Sequence, residues 1–424
     1  GVYDGDRLLY VGRMGKAYSE REQRRLADLL HALETPICPF ANTPEPDAKP
    51  HWVHPRLVIE AKFNEWTKSG KLREPTYVGL RNDVDPRSVR REPSPLALPE
   101  GTGRARGLEH NLLEQLEALR SKGEGILTLD NGTTLKVNDL KRIIWTALGF
   151  TKADLFRYYI QIAPYILPAL DDRPLSFKRF PHGLRRPETF HQRIKWRVPP
   201  GVRVESVKAA DRVFEPRLIG GSLATLLYGV QIDFISMDPW LSRVHSPDHP
   251  DYAVIDLDPG AGVPFVRVAD VAKWLHELFE LAGIVTVVKT SGIGGLHLIV
   301  PLAKGTDYRQ ARALAMTFAT RVARRHPEHA TVERAIAARG RRVYLDCDQN
   351  LRAKTIAAPY SARHSVFAGI SAPLRWSELD RPVKPDQFTV QTIQERLRHV
   401  GDLWLAVRQS VGVNIPELYE RWLR

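Results

Sequence analysis

The stretch Tyr252-Ala-Val-Ile-Asp-Leu-Asp-Pro259 is apolar apart from two aspartates that stand two residues apart. An apolar run of this length predicts a buried β-strand. Because side chains in a strand alternate between its two faces, Asp256 and Asp258 would point the same way, with Ile255 and Leu257 packed behind them. Two carboxylates on one patch repel each other, and a divalent cation is the partner that best neutralises both. The alternative is ordinary turn chemistry at a strand end.

The composition indicates several domains and favours a polyanionic partner. A chain of 424 residues predicts two or three domains. Lysine and arginine number 62 against 49 acidic residues, so the formal net charge is +13 and the pI is near 9.7. Nucleic acid is the partner this charge favours, although many basic proteins bind none. With Cys38 and Cys347 as the two cysteines, neither a disulfide framework nor a cysteine-rich zinc site is expected.

No targeting or membrane signal is visible in the sequence. It has no apolar run of 18 residues and no signal peptide, so we expect a soluble cytoplasmic protein with no membrane partner. The chain begins Gly-Val-Tyr-Asp-Gly, without Met, which suggests a piece of a longer protein.

Three segments of different character follow one another along the chain. Residues 1–86 combine short strand patterns with helical spacing at 20–34 and predict a small β-rich module. Residues 87–124 are rich in Arg, Pro and Gly and predict a basic flexible linker with one short helix near Leu112–Leu119. Residues 125–424 mix strand and helix patterns, so the predicted fold class is α+β (mixed α/β).

The pattern around the two aspartates alternates strands and helices. It predicts a strand at 252–258, a helix at 267–281, a strand at 285–290, a glycine turn, a strand at 298–301, a helix at 309–325 and a strand at 343–346.

A third acid, Asp346, closes the apolar stretch Val343–Asp346. Three carboxylates on neighbouring strands can bind two hard cations. Nucleotidyl transfer uses this arrangement to activate an attacking 3′ hydroxyl and to neutralise a triphosphate. We therefore predict Asp256, Asp258 and Asp346 as catalytic metal ligands. Asp348 is a less favourable ligand, because the residues after it predict a turn.

The glycine-rich segment Ser291-Gly-Ile-Gly-Gly-Leu-His297 lies between these acids in the chain. Its glycines permit close backbone approach to an anion, and Ser291 and His297 supply donors for phosphate oxygens. The alternative is a plain hairpin turn with a structural histidine. The segment is not a Walker A loop, because the terminal Gly-Lys-Ser/Thr is absent.

Basic residues near the third acid are candidates for binding the triphosphate or template: Arg339, Arg352, Lys354 and Arg363. Lys178 and Arg179 stand ahead of Phe180 and Phe190, and cations mixed with aromatic residues suit base stacking beside a phosphate track. The alternative for these aromatic residues is a place in the core. We predict Lys178, Arg179 and Phe190 as the DNA or template contacts.

Three ordered motifs then carry a family resemblance: Asp256-Leu-Asp-Pro259, Lys289-Thr-Ser-Gly-x-x-Gly-Leu-His297 and Asp346-x-x-Gln-Asn-x-x-x-Lys-Thr-x-x-x-Pro-Tyr-Ser-x-Arg363. Residues 125–424 resemble the polymerase domain of bacterial DNA ligase D, which belongs to the archaeo-eukaryotic primase superfamily. The resemblance implies template-dependent addition of nucleotides, often ribonucleotides, at DNA ends and gaps in non-homologous end joining. It also implies two divalent cations, usually Mn²⁺ in preference to Mg²⁺, Ku as a partner, and a bacterial, nucleoid-associated location.

The resemblance also assigns roles to residues. The metal ligands fall on Asp256, Asp258 and Asp346, the nucleotide-binding pair on Ser291 and His297, the basic triphosphate contacts on Arg339, Lys354 and Arg363, and a stacking aromatic on Phe190. Two positions depart from the family pattern, because many relatives have Lys at Gly294 and His at Asp238.

The first segment resembles a second part of the same protein. Trp52-Val-x-Pro55, Glu65-Trp-Thr67 and Arg73-Glu-Pro-Thr-Tyr-Val-Gly-Leu-Arg81 resemble the end of the OB domain of its ATP-dependent ligase. This implies a partial OB fold before the polymerase domain. The adenylation domain, whose lysine accepts AMP, is not expected in this chain, so ligation is not expected from it.

The predicted function is a two-metal polymerase that extends primers on broken or gapped DNA with nucleoside triphosphates. Two other functions stay open: a catalytically weak scaffold that binds DNA ends, and a primase-like enzyme that starts chains without a primer. Retention of all three acids argues against the scaffold.

Overall fold

A computed structural model of the chain describes residues 1–4, 6–14, 20–42, 50–63, 67, 70–81, 84–90, 102–129, 132–185, 189–191, 193–194, 196–208 and 214–423. The chain divides into two compact units, Gly1–Ala97 and Leu98–Arg424. Both contain helices and strands, which confirms the mixed α and β fold class.

The first unit consists of short antiparallel strand pairs and one helix. The strands pair as Val2–Asp4 with Arg7–Leu9, Glu34–Thr35 with Trp52–Val53, and Val58–Lys62 with Thr76–Arg81. The helix is Glu20–His31, and a 3-10 turn spans Pro86–Ser88. Leu8, Val11 and Tyr77 are the buried apolar side chains among its described residues, so the core of this unit is small. Glu65 and Trp66 of the ligase-like motif lie outside the described residues.

The described residues of the second unit begin with three helices and several short strands, most of whose buried apolar side chains belong to the same core as the central sheet. The helices are Thr102–Arg120, Lys152–Leu170 and Leu223–Gln231. The strands are Gly125–Thr128, Thr134–Val137, Ile143–Trp145, Phe150–Thr151, Leu175–Arg179, Thr189–His191, Val204–Lys208, Phe214–Leu218, Asp238–Pro239, Ser242–Arg243 and Ser246–Pro250. The helix Lys152–Leu170 begins at a capping box, in which the Thr151 side chain accepts from Asp154 N and the Asp154 side chain accepts from Thr151 N.

The helix predicted near Leu112–Leu119 is longer than expected. It spans Thr102–Arg120, within the segment expected to be a linker. Leu112 and Leu116 are buried in the same core as the central sheet, so the C-terminal half of this helix packs as part of the second unit.

The centre of the second unit is a six-stranded sheet, whose strands we label in chain order: β1 Tyr252–Pro259, β2 Val287–Thr290, β3 Leu296–Pro301, β4 Ala330–Thr331, β5 Val343–Asp346 and β6 Pro373–Leu374. Their order across the sheet is β4-β5-β1-β3-β2-β6. Neighbouring strands are antiparallel except β4 and β5, which are parallel.

Two amphipathic helices, α1 (Phe265–Leu281) and α2 (Tyr308–Arg325), follow β1 and β3 and pack on this sheet. Helix α2 begins at a capping box between Asp307 and Gln310. Their apolar stripes join Ile255 and Leu257, which are fully buried, in one continuous core. Strand β1 is therefore held firmly on one face, and the side chains of its other face are available for a site.

The C-terminal part of the chain adds short elements around the sheet. They are the helical turn Ile336–Arg339, the helices Ile393–Val400, Leu405–Gln409 and Ile415–Leu423, and the 3-10 turns Asp348–Asn350, Trp376–Asp380 and Pro385–Gln387. Among the helices of the described residues, none has both the length and the apolar character needed to cross a membrane.

Candidate active site

The predicted acids lie side by side because of the register of the sheet. Asp256 on β1 stands directly opposite Asp346 on β5, and on its other side directly opposite His297 on β3. His297 in turn stands opposite Lys289 on β2. Directly opposite residues of antiparallel strands point to the same face, with Cβ atoms about 4.5–5.5 Å apart. The order Asp346, Asp256, His297, Lys289 therefore forms one row of polar side chains, and Asp258 lies on the same face two residues along β1.

We call Asp256, Asp258 and Asp346 the acidic group. Burial raises the pKa of Asp256 well above its ordinary value, and repulsion from Asp258 and Asp346 adds to the rise. Burial also raises the pKa of Asp258, followed by repulsion from Asp346, while Arg339 acts in the opposite direction. As the side chains stand, the negative charges of Asp256 and Asp258 are poorly compensated by the protein.

Three donors hold Asp346 in one orientation. Its Oδ1 accepts from the backbone N–H of Asp348 at 2.8 Å, and its Oδ2 accepts from Nε2 of Gln349 at 3.3 Å. The hydroxyl of Tyr344 lies 3.4 Å from Oδ1. Asp348 itself binds Arg312 of α2 through its Oδ1, so it anchors this turn.

On the other side of Asp256 lies a basic group that consists of Lys289, His297 and Arg363. Lys289 is fully buried and His297 is 3% exposed. Burial lowers the pKa of Lys289 well below its ordinary value, and repulsion from Arg363 adds to this, whereas Asp256 and Asp238 favour the charged form. Burial and repulsion from Lys289 and Arg363 likewise lower the pKa of His297, which is therefore neutral at neutral pH.

Arg363 is held at the acidic group by a carboxylate. Its Nη1 lies 3.1 Å from Oδ1 of Asp238, whose Oδ2 accepts from the hydroxyl of Ser236 at 2.8 Å. Asp238, one of the two departures from the family pattern, is thus a buried partner of a predicted triphosphate contact. The Nε of Arg363 is buried and has no hydrogen-bond partner among the described residues.

The glycine-rich turn closes on its own serine. The Ser291 Oγ accepts from the backbone N–H groups of Ile293 at 3.2 Å and Gly295 at 3.0 Å, and the Ser291 N–H donates to Gly295 O at 2.9 Å. Those two N–H groups are therefore occupied within the turn, and the serine hydroxyl keeps its own hydrogen for donation.

The three glycines of this turn have different surroundings. Gly292 has φ +76°, and a Cβ there would lie 2.4 Å from Cγ of Arg363; a Cβ at Gly295 would lie 2.4 Å from the Leu257 carbonyl oxygen. Close packing therefore requires glycine at both positions. At Gly294 the nearest atom to an added Cβ is Pro259 Cγ at 3.9 Å, so this position is open.

The structure also brings Arg339 to the acidic group. Its guanidinium lies over the ring of Tyr344, 3.6 Å from the centroid, and Tyr344 stands opposite Asp258 in the sheet. The Nη2 of Arg339 donates to Arg334 O at 2.8 Å. A cation–π contact of this kind fixes the direction of the arginine beside the acids.

Four predicted residues have no described contact with the acidic group. Lys354 is exposed. Lys178 is half-buried on the strand Leu175–Arg179, and Arg179 donates from Nε to Ile232 O at 2.7 Å. The backbone of Phe190 pairs opposite Lys178, but its side chain lies outside those that the structure describes. Arg352, the remaining candidate, binds Asp248.

Two important residues carried no predicted role. Lys289 was part of a motif, and Asp238 was noted as a departure. The signal for Lys289 was its place two residues before Ser291, inside an apolar strand where a lysine needs partners. The signal for Asp238 was weaker, because its partner Arg363 is 125 residues away in the chain.

The acidic group fits divalent cations by its chemistry. Oδ1 of Asp256 is buried without a hydrogen-bond donor among the described residues, and His297 Nε2, at 3.4 Å, lacks hydrogen-bond geometry towards it. Carboxylate oxygens are the ligands that Mg²⁺ and Mn²⁺ prefer. In the part of the chain that the structure describes, no group of three or more His, Cys, Asp or Glu side chains forms a complete metal site as it stands.

Two family models match the chain. One, described as LigD, primase-polymerase domain, matches residues 151–404, and the other, described as ATP dependent DNA ligase C terminal region, matches residues 1–84. These matches confirm both predicted resemblances, including the partial ligase module at the start.

Curated relatives agree with the family models. The multifunctional non-homologous end joining protein LigD of Pseudomonas aeruginosa is 26% identical over 412 residues, which cover 95% of this chain and 47% of the relative. The bifunctional non-homologous end joining protein LigD of Bacillus subtilis is 30% identical over 268 residues, 63% of this chain and 43% of the relative. The chain thus spans less than half the length of these relatives.

A solved structure shares the fold. The polymerase domain of Mycobacterium tuberculosis ligase D, in complex with DNA, matches with a TM-score of 0.61 and 29% identity. The match covers 64% of this chain and 97% of that domain, and it confirms the predicted primase-like polymerase fold.

Proposed function

The chain belongs to the LigD primase-polymerase family, and from this premise we propose that it extends DNA primers with nucleotides at breaks and gaps during non-homologous end joining. It is a nucleotidyltransferase of the polymerase type, and the ligase part that it matches is the C-terminal region. Extension, with ribonucleotides among its substrates, is the proposed reaction.

The observation that carries this proposal is the register of β5, β1 and β3. It sets Asp346, Asp256 and His297 side by side on one face of the sheet, with Asp258 beside them. An acidic group next to a basic group, with Asp256, Lys289 and His297 buried between them, suits a substrate that brings both cations and phosphates. A scaffold that only binds DNA ends has no need to gather three carboxylates around a buried oxygen, Oδ1 of Asp256, that lacks a donor among the described residues.

The acidic group would hold two divalent cations, Mn²⁺ or Mg²⁺, through Asp256, Asp258 and Asp346. When bound, such cations lower the pKa of a primer 3′ hydroxyl and neutralise charge on the triphosphate. The protein's part is positioning. Asp256 and Asp258 would face the nucleotide, while Asp346, held by its donors, would face the primer end.

The remaining predicted residues would hold the nucleotide and the DNA. Arg363 and the hydroxyl of Ser291 lie at the glycine-rich turn and would bind phosphate oxygens, as would His297. Arg339 would approach from the other side of the acidic group. Lys354 is proposed as a further phosphate contact, and Lys178, Arg179 and Phe190 as contacts to the template strand.

The wider repair complex is also proposed. The matched structure contains DNA, and the relatives' names refer to end joining. We infer that gapped duplex or broken DNA ends are the substrate of this chain, that nucleoside triphosphates are the second substrate, and that Ku recruits it in the bacterial nucleoid. The net charge of +13 supports the nucleic-acid partner.

The test is extension of a 5′-labelled primer on a gapped template, with ribo- or deoxyribonucleotides and with Mn²⁺ or Mg²⁺. We expect extension that depends on metal and falls at least about 1,000-fold in Asp256→Ala, because the other acids alone would not hold the cations. Binding of the labelled DNA, measured by fluorescence anisotropy, should change little. Asp380→Ala, at an exposed acid of the same unit, is the matched control.

Other outcomes separate the rival functions. If the wild-type chain binds DNA but does not extend it under any condition, the scaffold replaces the polymerase. If it extends equally well on unprimed template, it is a primase. If Asp256→Ala extends normally, the metal assignment is wrong.

A further inference from the structure

Lys289 is a fully buried lysine directly opposite His297 in the sheet. Lysine is almost never fully buried unless its charge is paired or hydrogen-bonded. The Nζ of Lys289 has three polar neighbours: Nδ1 of His297, the carbonyl oxygen of Ala357 at 2.9 Å and Oγ of Ser371 at 2.8 Å. These neighbours decide which way each hydrogen bond runs.

The partners fix the direction of two of the three hydrogen bonds of Lys289. The Ala357 carbonyl can only accept. The hydroxyl of Ser371 donates its own hydrogen to Thr290 O at 2.9 Å, so towards Lys289 it also accepts. Lys289 therefore donates two of its N–H groups to these partners.

The third direction follows from the chemistry of an ammonium group. As an ammonium, the form that the carboxylates of Asp256 and Asp238 favour, Lys289 has three N–H donors and no acceptor, so its remaining N–H donates to Nδ1 of His297. A neutral imidazole carries one hydrogen, and a ring whose Nδ1 accepts must carry it on Nε2. That nitrogen lies on the Asp256 side, 3.4 Å from Oδ1, and has no hydrogen-bond partner among the described residues.

We propose that Lys289 is a positioning residue that holds His297 in the tautomer with its hydrogen on Nε2, so that His297 presents a donor to a phosphate oxygen of the incoming nucleotide. In the other tautomer, Nε2 would present a lone pair, which repels a phosphate oxygen. The tautomer follows from the hydrogen bonds of Lys289 as an ammonium, whereas its use for a phosphate rests on the function proposed above.

The tautomer can be read directly by ¹⁵N NMR of the histidine rings in the metal-free protein at neutral pH. The signal of His297 is assigned by its loss in His297→Gln. We expect Nε2 to carry the hydrogen in the wild-type chain and in Lys289→Gln, whose amide N–H can still donate to Nδ1. In Lys289→Met the donor is gone, and the Nδ1–H form should become a large fraction of the signal.

A second buried lysine provides the matched control. Lys152 is 1% exposed and donates to Gln231 O at 2.6 Å and to Asp233 at 3.0 Å, outside the basic group. Lys152→Met should lower the melting temperature through the same loss of a buried donor, yet leave the His297 signal unchanged.

Kinetics test the use of the tautomer. In Lys289→Met the KM for the nucleotide should rise about 5- to 20-fold, less than the full loss of a charge-assisted hydrogen bond because a fraction of His297 keeps its hydrogen on Nε2, with a smaller change in kcat. In Lys289→Gln the KM should return most of the way to the wild-type value. Adding Lys289→Met to His297→Gln should cost little more, because the two residues act as one unit.

Each result has one meaning. A wild-type His297 with its hydrogen on Nδ1, or one whose signal Lys289→Met leaves unchanged, overturns the proposal. If the rise in KM in the double variant equals the product of the rises in Lys289→Met and His297→Gln, the two residues act independently and Lys289 is merely structural. If the tautomer is as expected but the chain extends no primer, the positioning by Lys289 stands and the proposed polymerase function fails.

Discussion

The acidic and basic groups are neighbours in one row, but the protein treats their charges differently. Each cation of the basic group has an acceptor within the chain: Lys289 has three, and Arg363 has Asp238. The acidic group instead contains a buried oxygen, Oδ1 of Asp256, with no donor among the described residues. The cations are thus arranged in advance, whereas the carboxylates need charge from outside the chain.

This difference separates two tasks. Donors held by other side chains lose no conformational freedom when a phosphate arrives, and preorganised donors are effective in electrostatic stabilisation. Uncompensated carboxylates destabilise the empty fold and give a cation a large gain in free energy on binding. The predictions below test this difference, beginning with the largest expected effect.

Removing Arg363 should have the largest effect on the basic group. Arg363→Met removes a charge-assisted bond to phosphate worth about 1.5–3 kcal/mol, so the KM for the nucleotide should rise about 10- to 100-fold in steady-state extension assays. Arg363→Lys keeps the charge but loses the fork geometry and should recover only part of this. A matched arginine with its own aspartate partner, changed in Arg408→Met, should leave the KM unchanged. Equal effects in both variants would mean that general fold damage is the cause.

Neutralising Asp256 should stabilise the metal-free protein. The pKa values of Asp256 and Asp258 are raised in the folded chain, so the fold loses stability as the pH rises from the unfolded-state value, about 3.9, through the raised values. Asp256→Asn removes this penalty, so a gain in the free energy of unfolding is expected at alkaline pH and little or none at acid pH.

Urea unfolding in EDTA across pH measures this gain. The same variant should lose most of the stabilisation that added Mn²⁺ gives the wild-type chain. Asp380→Asn, at an exposed acid, should follow the wild-type pH curve. If Asp256→Asn is less stable than wild type at alkaline pH, the protein already compensates the acidic group and the comparison fails.

Adding a cation at Gly294 should have the smallest effect. The position has room for a side chain, so Gly294→Lys should leave the melting temperature nearly unchanged. A partly exposed lysine is worth about 0.5–1 kcal/mol to a phosphate, which predicts a two- to five-fold lower KM for the nucleotide. Gly295→Lys, which would collide with the Leu257 carbonyl, should instead fail to fold stably. A raised KM in Gly294→Lys would show that this turn does not face the phosphates.

The sequence alone predicted the central strands and the shared face of Asp256 and Asp258. Strand β5 is an apolar run that ends in Asp346, β1 is apolar apart from Asp256 and Asp258, and the alternation of side chains predicts that these two share one face. The positions of Ser291 and His297 at a glycine turn followed from local composition. These features depend on neighbours within a few residues, so a single chain segment contains the information.

What depended on contacts between distant segments could not be predicted. The partners of Lys289 come from loops at Ala357 and Ser371, and Asp238 meets Arg363 from a separate strand. The length of the helix Thr102–Arg120 was underestimated because Gly103 and Gly107 disfavour helix locally. Packing of its later leucines into the core overrides that preference. The glycines of the turn were expected to approach an anion, but Gly292 and Gly295 are required by packing within the protein.

The row of site residues has a consequence for mutational tolerance. It takes one residue from each of β5, β1, β3 and β2, and a shift of one residue in any strand turns its side chains to the opposite face. Deleting one residue within β3 would remove His297 from the row while leaving the composition of the strand almost intact. Insertions and deletions in these strands should therefore be tolerated less well than substitutions. Recovery of activity after refolding would likewise show that the four strands have paired in the correct register.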